Sequence, residues 1–386
     1  MNSKPTHKIK ITFIIVSLEN AGAEIMLLRL LKHIDKELFE ASVISLRNKG
    51  PIGLKIEAQG VPVHCAHMSN NITFIFGFIR LVKVLKLIKP EIVNTWMYHA
   101  DLLAGLAARM MKVPKIIWMI HCSNFIIHKN NWLSFLLMKT CSKLSTLIPN
   151  KILCVSQVAA RQHYDYGYDK RKIFVIPAIV DTINFVKNKN AKKNIISELK
   201  LPNDTILVGL FGRYDPQKNH MGFIEAAKIV REKFPHVHFI LSGRGIDYNN
   251  ISLTNILEKY KLKSVIHLLG FRDNIIDLYS SIDLYVSASS FGEAFPMVLC
   301  EAMSCEVPCV ATDVGDSAFI IGDTGRIVQP NNANELANKI MELIKLDLKI
   351  LNQYGSRARE RIMTKFNAED TVKRYEMFFK INYQAY

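Results

Sequence analysis

The chain predicts an α/β protein made of two doubly wound parallel sheets in tandem. Three observations carry that reading. At 386 residues it is longer than one typical hydrophobic core fills. Short apolar runs alternate with amphipathic helical stretches along most of its length, the pattern of a parallel sheet covered on both faces. The alternation breaks at the polar, basic stretch Lys187–Asn194 (KNKNAKKN) and then restarts. No short-period repeat is present, which excludes a solenoid.

The first half reads in order as follows. A strand over Ile9–Ser17 passes through the loop Leu18–Gly22 into a helix from Ala23 to about His33, apolar at Ile25, Leu28 and Leu31. Strand Glu40–Leu46, a helix near Gly53–Gln59 and strand Val61–His64 follow. A long amphipathic helix, Phe74–Lys89, stops before Pro90, where the ring forbids continuation. Strand Ile92–Thr95, the small-residue helix Asp101–Met111 and strand Lys115–His121 come next. Helix Trp132–Leu147, strand Lys151–Ser156, helix Val158–Tyr166 and strand Ile173–Ile176 complete the half.

After the basic stretch, strand Thr205–Phe211 leads through a polar loop, Gly212–Asn219, into a helix from about Met221 to Lys233. Strand Val237–Ser242, helix Ile251–Tyr260, strand Val265–Leu269 and the short helix Ile275–Ser280 follow. Strand Asp283–Ala288 feeds a loop and a helix start, SFGEAFPMVLCEAM, over Ser290–Met303. Strand Pro308–Thr312 and helix Ala333–Lys345 come after it, and the pattern is helical from Leu351 to the end with a break near Phe366.

Composition bounds the function. Residues 1–185 hold 24 Lys+Arg against 11 Asp+Glu, and the remaining 201 hold 26 against 23, so nearly all of the +16 net charge lies in the first half. A basic half favours a polyanion, an anionic lipid headgroup or a phosphorylated substrate. A nucleic-acid partner fits the charge but finds no matching motif. Seven scattered cysteines without a CxxC pair point to reduced thiols in the cytoplasm, not to disulfides or zinc. No apolar run is long enough to span a bilayer, and Lys8–Leu18 reads as a buried strand and not as a signal peptide. Helix Phe74–Lys89 carries Arg80, Lys83, Lys86 and Lys89 among apolar residues. It reads either as a sheet-covering helix with a solvated basic face or as one lying on an anionic membrane.

Four places carry candidate chemistry. Gly22 stands where the first loop enters its helix and lets backbone approach a ligand, though the loop is not GxGxxG. Arg213 and Lys218, five apart before a helix N-terminus, suit a pyrophosphate, and the Walker spacing is absent. His121 ends a strand at the carboxyl edge of the first sheet, where open α/β sheets bind ligands, and His99 follows another strand end. Glu293 and Glu301 stand eight apart, one in a loop and one inside a helix. Each also has a structural reading, as a turn glycine, solvated charges or a packed histidine.

In order, AGAE (Ala21–Glu24), VSQVAARQHYDYGYDKRKIFVIPAIVD ending at Asp181, FGRYDPQKN (Phe211–Asn219), LSGRG (Leu241–Gly245) and SIDLYVSASSFGEAFPMVLCEAM (Ser281–Met303) resemble a retaining family 4 glycosyltransferase. That family has the GT-B fold, two Rossmann-like domains facing a central cleft. The resemblance covers nearly the whole chain and includes the E-x7-E pattern at Glu293 and Glu301. It implies an N-terminal acceptor-binding domain over 1–185 and a nucleotide-sugar-binding domain over 186–367, with a last helix, about 368–386, packing back on the first. It implies transfer of a hexose or N-acetylhexosamine from a nucleotide-sugar, UDP-linked, to a lipid-linked glycan in surface-polysaccharide assembly. A small soluble acceptor, or sugar-nucleotide binding without catalysis, is the alternative. His121, Glu293, Arg213 and Lys218 would be catalytic, and His99 and His121 would meet the acceptor. The donor would be held by Gly22, Arg213, Lys218, Gly243, Phe271, Glu293, Phe295, Pro296, Met297, Val298 and Glu301. Within that set Glu293 would take the sugar, Glu301 the ribose, and the loop Leu269–Arg272 the base. No cofactor or metal is implied, and the location is cytoplasmic, open to peripheral contact with the membrane. The sequence departs from the family pattern at Ala21, often glycine, and at Pro296, which removes an N–H from the donor loop.

Overall fold

The computed structural model describes residues 7–68, 71–123 and 132–384. In chain order the first elements are β1 (Ile9–Ile15), α1 (Gly22–His33), β2 (Phe39–Ser45), α2 (Gly50–Glu57), β3 (Val63–Cys65), α3 (Asn71–Ile88) and β4 (Ile92–Trp96). Then come α4 (Tyr98–Met110), β5 (Lys115–Ile120), α5 (Trp132–Leu144), β6 (Lys151–Cys154), α6 (Gln157–Asp165) and β7 (Ile173–Val175). The second series is α7 (Ala191–Glu198), β8 (Ile206–Phe211), α8 (His220–Lys233), β9 (Val237–Ser242), α9 (Ile251–Lys259), β10 (Ile266–Leu268) and α10 (Ile275–Ser281). It continues with β11 (Leu284–Ser287), α11 (Met297–Ser304), β12 (Cys309–Thr312), α12 (Ser317–Ile321), β13 (Arg326–Val328), α13 (Ala333–Ile344), α14 (Leu348–Lys365) and α15 (Ala368–Gln384).

The chain divides into two compact units, Met1–Ile179 with Ala368–Tyr386, and Val180–Asn367. The division falls at 179/180, ahead of the 185/186 boundary read from sequence, because Phe185 belongs to the second unit. Its ring faces Tyr279 at 6.1 Å, and its carbonyl accepts a hydrogen bond from Arg359. The basic stretch is not all linker, since α7 starts at Ala191 and buries Ile195 and Ile196.

The first unit is a seven-stranded sheet in the order β3-β2-β1-β4-β5-β6-β7, all parallel. β1, IKITFII, is apolar almost throughout because it is central and covered on both faces. The order reverses between β1 and β4, which makes that gap the switch point. Right-handed crossovers put α1 and α2 on one face and α3, α4 and α5 on the other. α15 joins α1's face. Its fully buried Phe379 meets Phe13 edge-on at 6.0 Å and Phe39 at 6.2 Å, and the Tyr375 hydroxyl donates to the Ile176 carbonyl at 3.0 Å. Each such side chain, taken out of water, contributes roughly 1.5–3 kcal/mol.

The second unit is a six-stranded parallel sheet, β10-β9-β8-β11-β12-β13, with its switch point between β8 and β11. Phe223 of α8 against Phe239 of β9, 5.9 Å apart, anchors one layer. Side-chain caps start several of its helices: Asn219 accepts from the Gly222 amide, Asn250 from Leu253 and Asn332 from Glu335. Besides α7, two elements escaped the sequence pattern, α12 with five residues and β13 with three. Both are too short to display a period. Among the described residues no helix is long and apolar enough to cross a membrane.

Candidate active site

The second sheet's switch point gathers the charged residues. The loop after β8 is tied to the next loop by Gly212 N–H donating to Ser242 O (2.8 Å) and Tyr214 N–H to Arg244 O (2.8 Å). Gly243 makes this approach possible, because a Cβ there would lie 2.1 Å from the Gly212 carbonyl oxygen. Its φ of +151° suits glycine as well. The loop after β11 docks on the first through Ser290 N–H, which donates to the Gln217 carbonyl at 2.8 Å.

These ties set the central contact. Lys218 Nζ donates to Glu293 Oε1 at 2.6 Å, with both side chains largely buried, and the Ser289 hydroxyl donates to the same oxygen at 2.9 Å. The Glu293 backbone is fixed from behind by Gly315, whose missing Cβ would stand 2.3 Å from the Glu293 carbonyl oxygen. Arg213 behaves differently. Its half-exposed guanidinium turns back to its own loop, to Asp215 at 3.0 Å and Gln217 at 3.1 Å. Burial pushes the Asp215 carboxyl up, but the Gln217 amide and the Arg213 guanidinium outweigh it and hold the group below its ordinary range. Arg213 is therefore presented beside the Lys218–Glu293 pair and is not part of it.

Helix α11 begins directly after. Pro296 is its N-cap residue, so the missing N–H lies outside the helix. Leu299 N–H turns back to the Pro296 carbonyl at 3.0 Å. No side chain caps this terminus, and the first-turn amides of Met297 and Val298 have no intrahelical acceptor. Such an end favours an anion. Phe295 contributes only backbone here, because its side chain is buried edge-on against Phe366 at 5.6 Å. Glu301, one turn into α11, accepts from the Tyr279 hydroxyl at 3.3 Å. Burial, then the Glu301 charge, raises the Tyr279 phenol well above its usual value and keeps it a donor. Phe271, 57% exposed after β10, carries the Arg244 guanidinium over its ring at 5.8 Å.

In the first unit the candidates sit on the carboxyl edge of the other sheet. Gly22 opens α1, and a Cβ there would meet nothing within 4 Å, so its surroundings leave room for an approaching group. Near it, burial raises the Glu24 carboxyl, and Ser17 donates to it at 3.3 Å. His121 follows β5 directly, and its ring stacks on Trp96, the last residue of β4, at 4.4 Å and 26°. Its Nε2 is buried with no hydrogen-bond partner among the described residues. Burial pushes its pKa down to about 3, so the ring is neutral at working pH. His99, exposed on the first turn of α4, has a pKa lowered by partial burial and then by Arg47.

Sequence reasoning missed the supports. Trp96 donates to Asn94 Oδ1 at 2.9 Å, and Asn94 Nδ2 donates to the Ile117 carbonyl at 3.1 Å, which fixes the indole under His121. Met97, at φ +71°, turns the chain sharply from β4 into α4. Gln217 and Ser289 lie inside the quoted stretches without an assigned role, and Tyr279 and Gly315 lie outside them. Their roles follow from loops that only the fold brings together.

The fold and the charged switch point define a class, the GT-B glycosyltransferases. An Anabaena protein, HepE, crystallised with UDP, matches with a TM-score of 0.84 over 96% of this chain and 100% of that one, at 21% identity. The family follows from two matches, one in each unit. Glycosyltransferase Family 4 covers residues 20–183 and Glycosyl transferases group 1 covers residues 191–361, and the chain belongs to this family of transferases. It is 28% identical, over 94% of its own length and 95% of the relative's, to the Escherichia coli UDP-Gal:alpha-D-GlcNAc-diphosphoundecaprenol alpha-1,3-galactosyltransferase. It is 25% identical, over 81% and 83%, to the Campylobacter jejuni N,N'-diacetylbacillosaminyl-diphospho-undecaprenol alpha-1,3-N-acetylgalactosaminyltransferase.

Proposed function

We propose that the chain transfers a hexose or N-acetylhexosamine from a UDP-sugar, with retention at the anomeric carbon, to a lipid-linked glycan diphosphate during surface-polysaccharide assembly. The observation that carries this is the Lys218–Glu293 pair beside the uncapped start of α11. It offers one cation and free amides to a diphosphate and one carboxylate to sugar hydroxyls within a single loop cluster. Two relatives matched over most of both chains, each acting on a diphospho-undecaprenol sugar by its name, support the acceptor class.

The roles follow from chemistry. As the glycosidic bond breaks, negative charge grows on the departing diphosphate. Lys218, with Arg213 swinging from Asp215, stabilises it together with the α11 amides, and this counter-charge needs no metal. Glu293 and Glu301 take the sugar and the ribose, and Phe271 with Arg244 stacks on the base. His121 works as a neutral hydrogen-bonding ring and not as a charge. The acceptor attacks from the face the leaving group occupied, its proton passing to the leaving phosphate. Gly22 and His99 serve the first unit's side of the reaction, which takes place at the cytoplasmic face of the membrane.

A donor screen that follows nucleoside diphosphate release, with and without diphospho-undecaprenol sugars, tests the reading. UDP-sugar turnover that rises with the lipid acceptor is expected. Stimulation by a water-soluble sugar phosphate instead moves the assignment to a soluble acceptor. Donor binding with no turnover under any acceptor sinks the catalytic reading.

A further inference from the structure

Helix α3 has a face that the sheet does not use. Gly77, Leu81 and Leu85 turn inward and are buried, and a Cβ on Gly77 would stand 2.5 Å from the Met68 side chain. On the outer side Phe76 is 71% exposed, Ile79 46% and Leu87 78%. At about 100° per residue these three share an arc of about 100° with exposed Lys83 and Lys86, and Arg80 flanks it. An ordinary surface helix keeps large apolar groups off its solvent side. Here they are interleaved with cations instead.

The charge along this stretch of sequence is one-sided. α3 contains no acidic residue, and from Ala58 to Tyr164 the sequence holds twelve Lys and Arg against two acidic residues. Of those two, Asp101 is buried, and Glu91 is engaged by His7, the Lys10 amide and Tyr383. At the helix's far end Leu87 borders a cavity of about 450 Å³ lined also by Lys8, Lys10, Lys36 and His64, with Glu40 as its carboxylate.

We propose that this face of α3, continued by the lysine-lined cavity at its end, docks the protein on an anionic phospholipid bilayer. The cations pair with headgroup phosphates while Phe76, Ile79 and Leu87 sink between them. The parallel topology starts α3 at the carboxyl edge of the first sheet, the edge that carries His99 and His121. The cavity, lined by the starts of β1 and β2, lies at the opposite, amino edge, so a helix docked along its length lays both edges of the sheet beside the lipid. The inference rests on the reading of a lipid-linked acceptor, and it assigns that reading a specific surface.

The test is co-sedimentation of the full chain with phosphatidylcholine vesicles, with and without phosphatidylglycerol. Binding is expected only with the anionic lipid. The double variant Lys83→Gln/Lys86→Gln should weaken partitioning roughly 30-fold. Phe76→Ser/Ile79→Ser should weaken it at least roughly tenfold at low salt, since two large apolar groups no longer leave water. All four side chains are exposed, so UDP-sugar hydrolysis without vesicles should match the unsubstituted protein. Equal binding to both vesicle types, binding to neither, or variants that pellet undiminished overturns the proposal. So does displacement by inorganic phosphate at constant ionic strength, which would make the cavity a site for free phosphate. So does a lipid-free dimer that Phe76→Ser/Ile79→Ser converts to monomer. Donor turnover without vesicle binding refutes the docking alone, and vesicle binding without donor turnover refutes the proposed activity alone.

Discussion

Lys218→Met probes the site most directly. The substitution keeps the aliphatic stem and removes the ammonium group that lies 2.6 Å from Glu293 Oε1. Breaking a fully buried pair from one side costs about 3–5 kcal/mol. Here the two side chains are 15% and 12% exposed, and Ser289 still donates to the same oxygen. The expected loss is therefore roughly 2 kcal/mol in the second unit. For a unit of 188 residues, Val180 through Asn367, that lowers its Tm by roughly 4–8 °C. Catalysis should suffer more. Removing one fixed donor from developing charge costs about 100- to 1,000-fold in kcat. UDP provides a second readout. At a hundredfold excess over Kd a ligand stabilises the folded state by about 2.7 kcal/mol. That upward shift should appear in the unsubstituted protein and shrink sharply in Lys218→Met. Thermal unfolding with and without UDP, alongside nucleoside diphosphate release, measures all three effects. A variant with the same UDP-induced shift, and turnover within about threefold of the original, would refute the diphosphate role assigned to Lys218.

Other substitutions test the supports. Gly243→Ala drives a Cβ to 2.1 Å from the Gly212 carbonyl. It should cost about 2–4 kcal/mol in urea denaturation and lower turnover by displacing the Arg213 loop. Trp96→Ala removes a fully buried indole and the stack under His121. A loss of about 3–5 kcal/mol is expected, whereas Trp96→Phe should restore most of the activity by restoring a ring. Stability should also depend on pH through His163 and His220, both buried and held at about 4 by desolvation. A histidine whose folded pKa lies below its unfolded value of about 6.5 destabilises the fold as pH drops through 6.5, because the unfolded chain binds the proton first. Each should remove up to about 1.4 kcal/mol per pH unit between 6.5 and 4, and His163→Gln should flatten the slope in denaturation series at pH 7.5, 6 and 5.

Most strands were legible because a strand buried on both faces writes itself as an unbroken apolar run, as in IKITFII and ILVGLF. The break at Phe366 was legible too, since two amphipathic periods fall out of phase there. The helix at Ala191–Glu198 was hidden because two lysines and an asparagine fill its first turn after Ala191, and Ile195 and Ile196 are its only large apolar residues that pack. At the site, Lys218 and Glu293 could be named from spacing and resemblance. Their mutual contact could not, because it depends on the loops after β8 and β11, neighbours in the sheet but 75 residues apart in sequence. Arg213's return to Asp215 and the Trp96–His121 stack were equally invisible, one being a choice among nearby acceptors and the other a contact between strand ends. The outer face of α3 was ambiguous for a different reason. A helix with apolar residues at most positions does not declare which of them the sheet takes.

The return of α15 to the first sheet bears on synthesis. Phe13 and Phe39 present a face whose cover, Phe379, is encoded after the entire second unit. At about 5–20 residues per second, the 188 intervening residues take roughly 10–40 s to emerge from the ribosome. Throughout that interval the first unit is a nearly finished sheet with one apolar side open, and its cover arrives only after the second unit has been made. A nascent chain stalled before Ala368 should therefore draw chaperones to its amino-terminal portion, and a separately supplied Ala368–Gln384 peptide should release them.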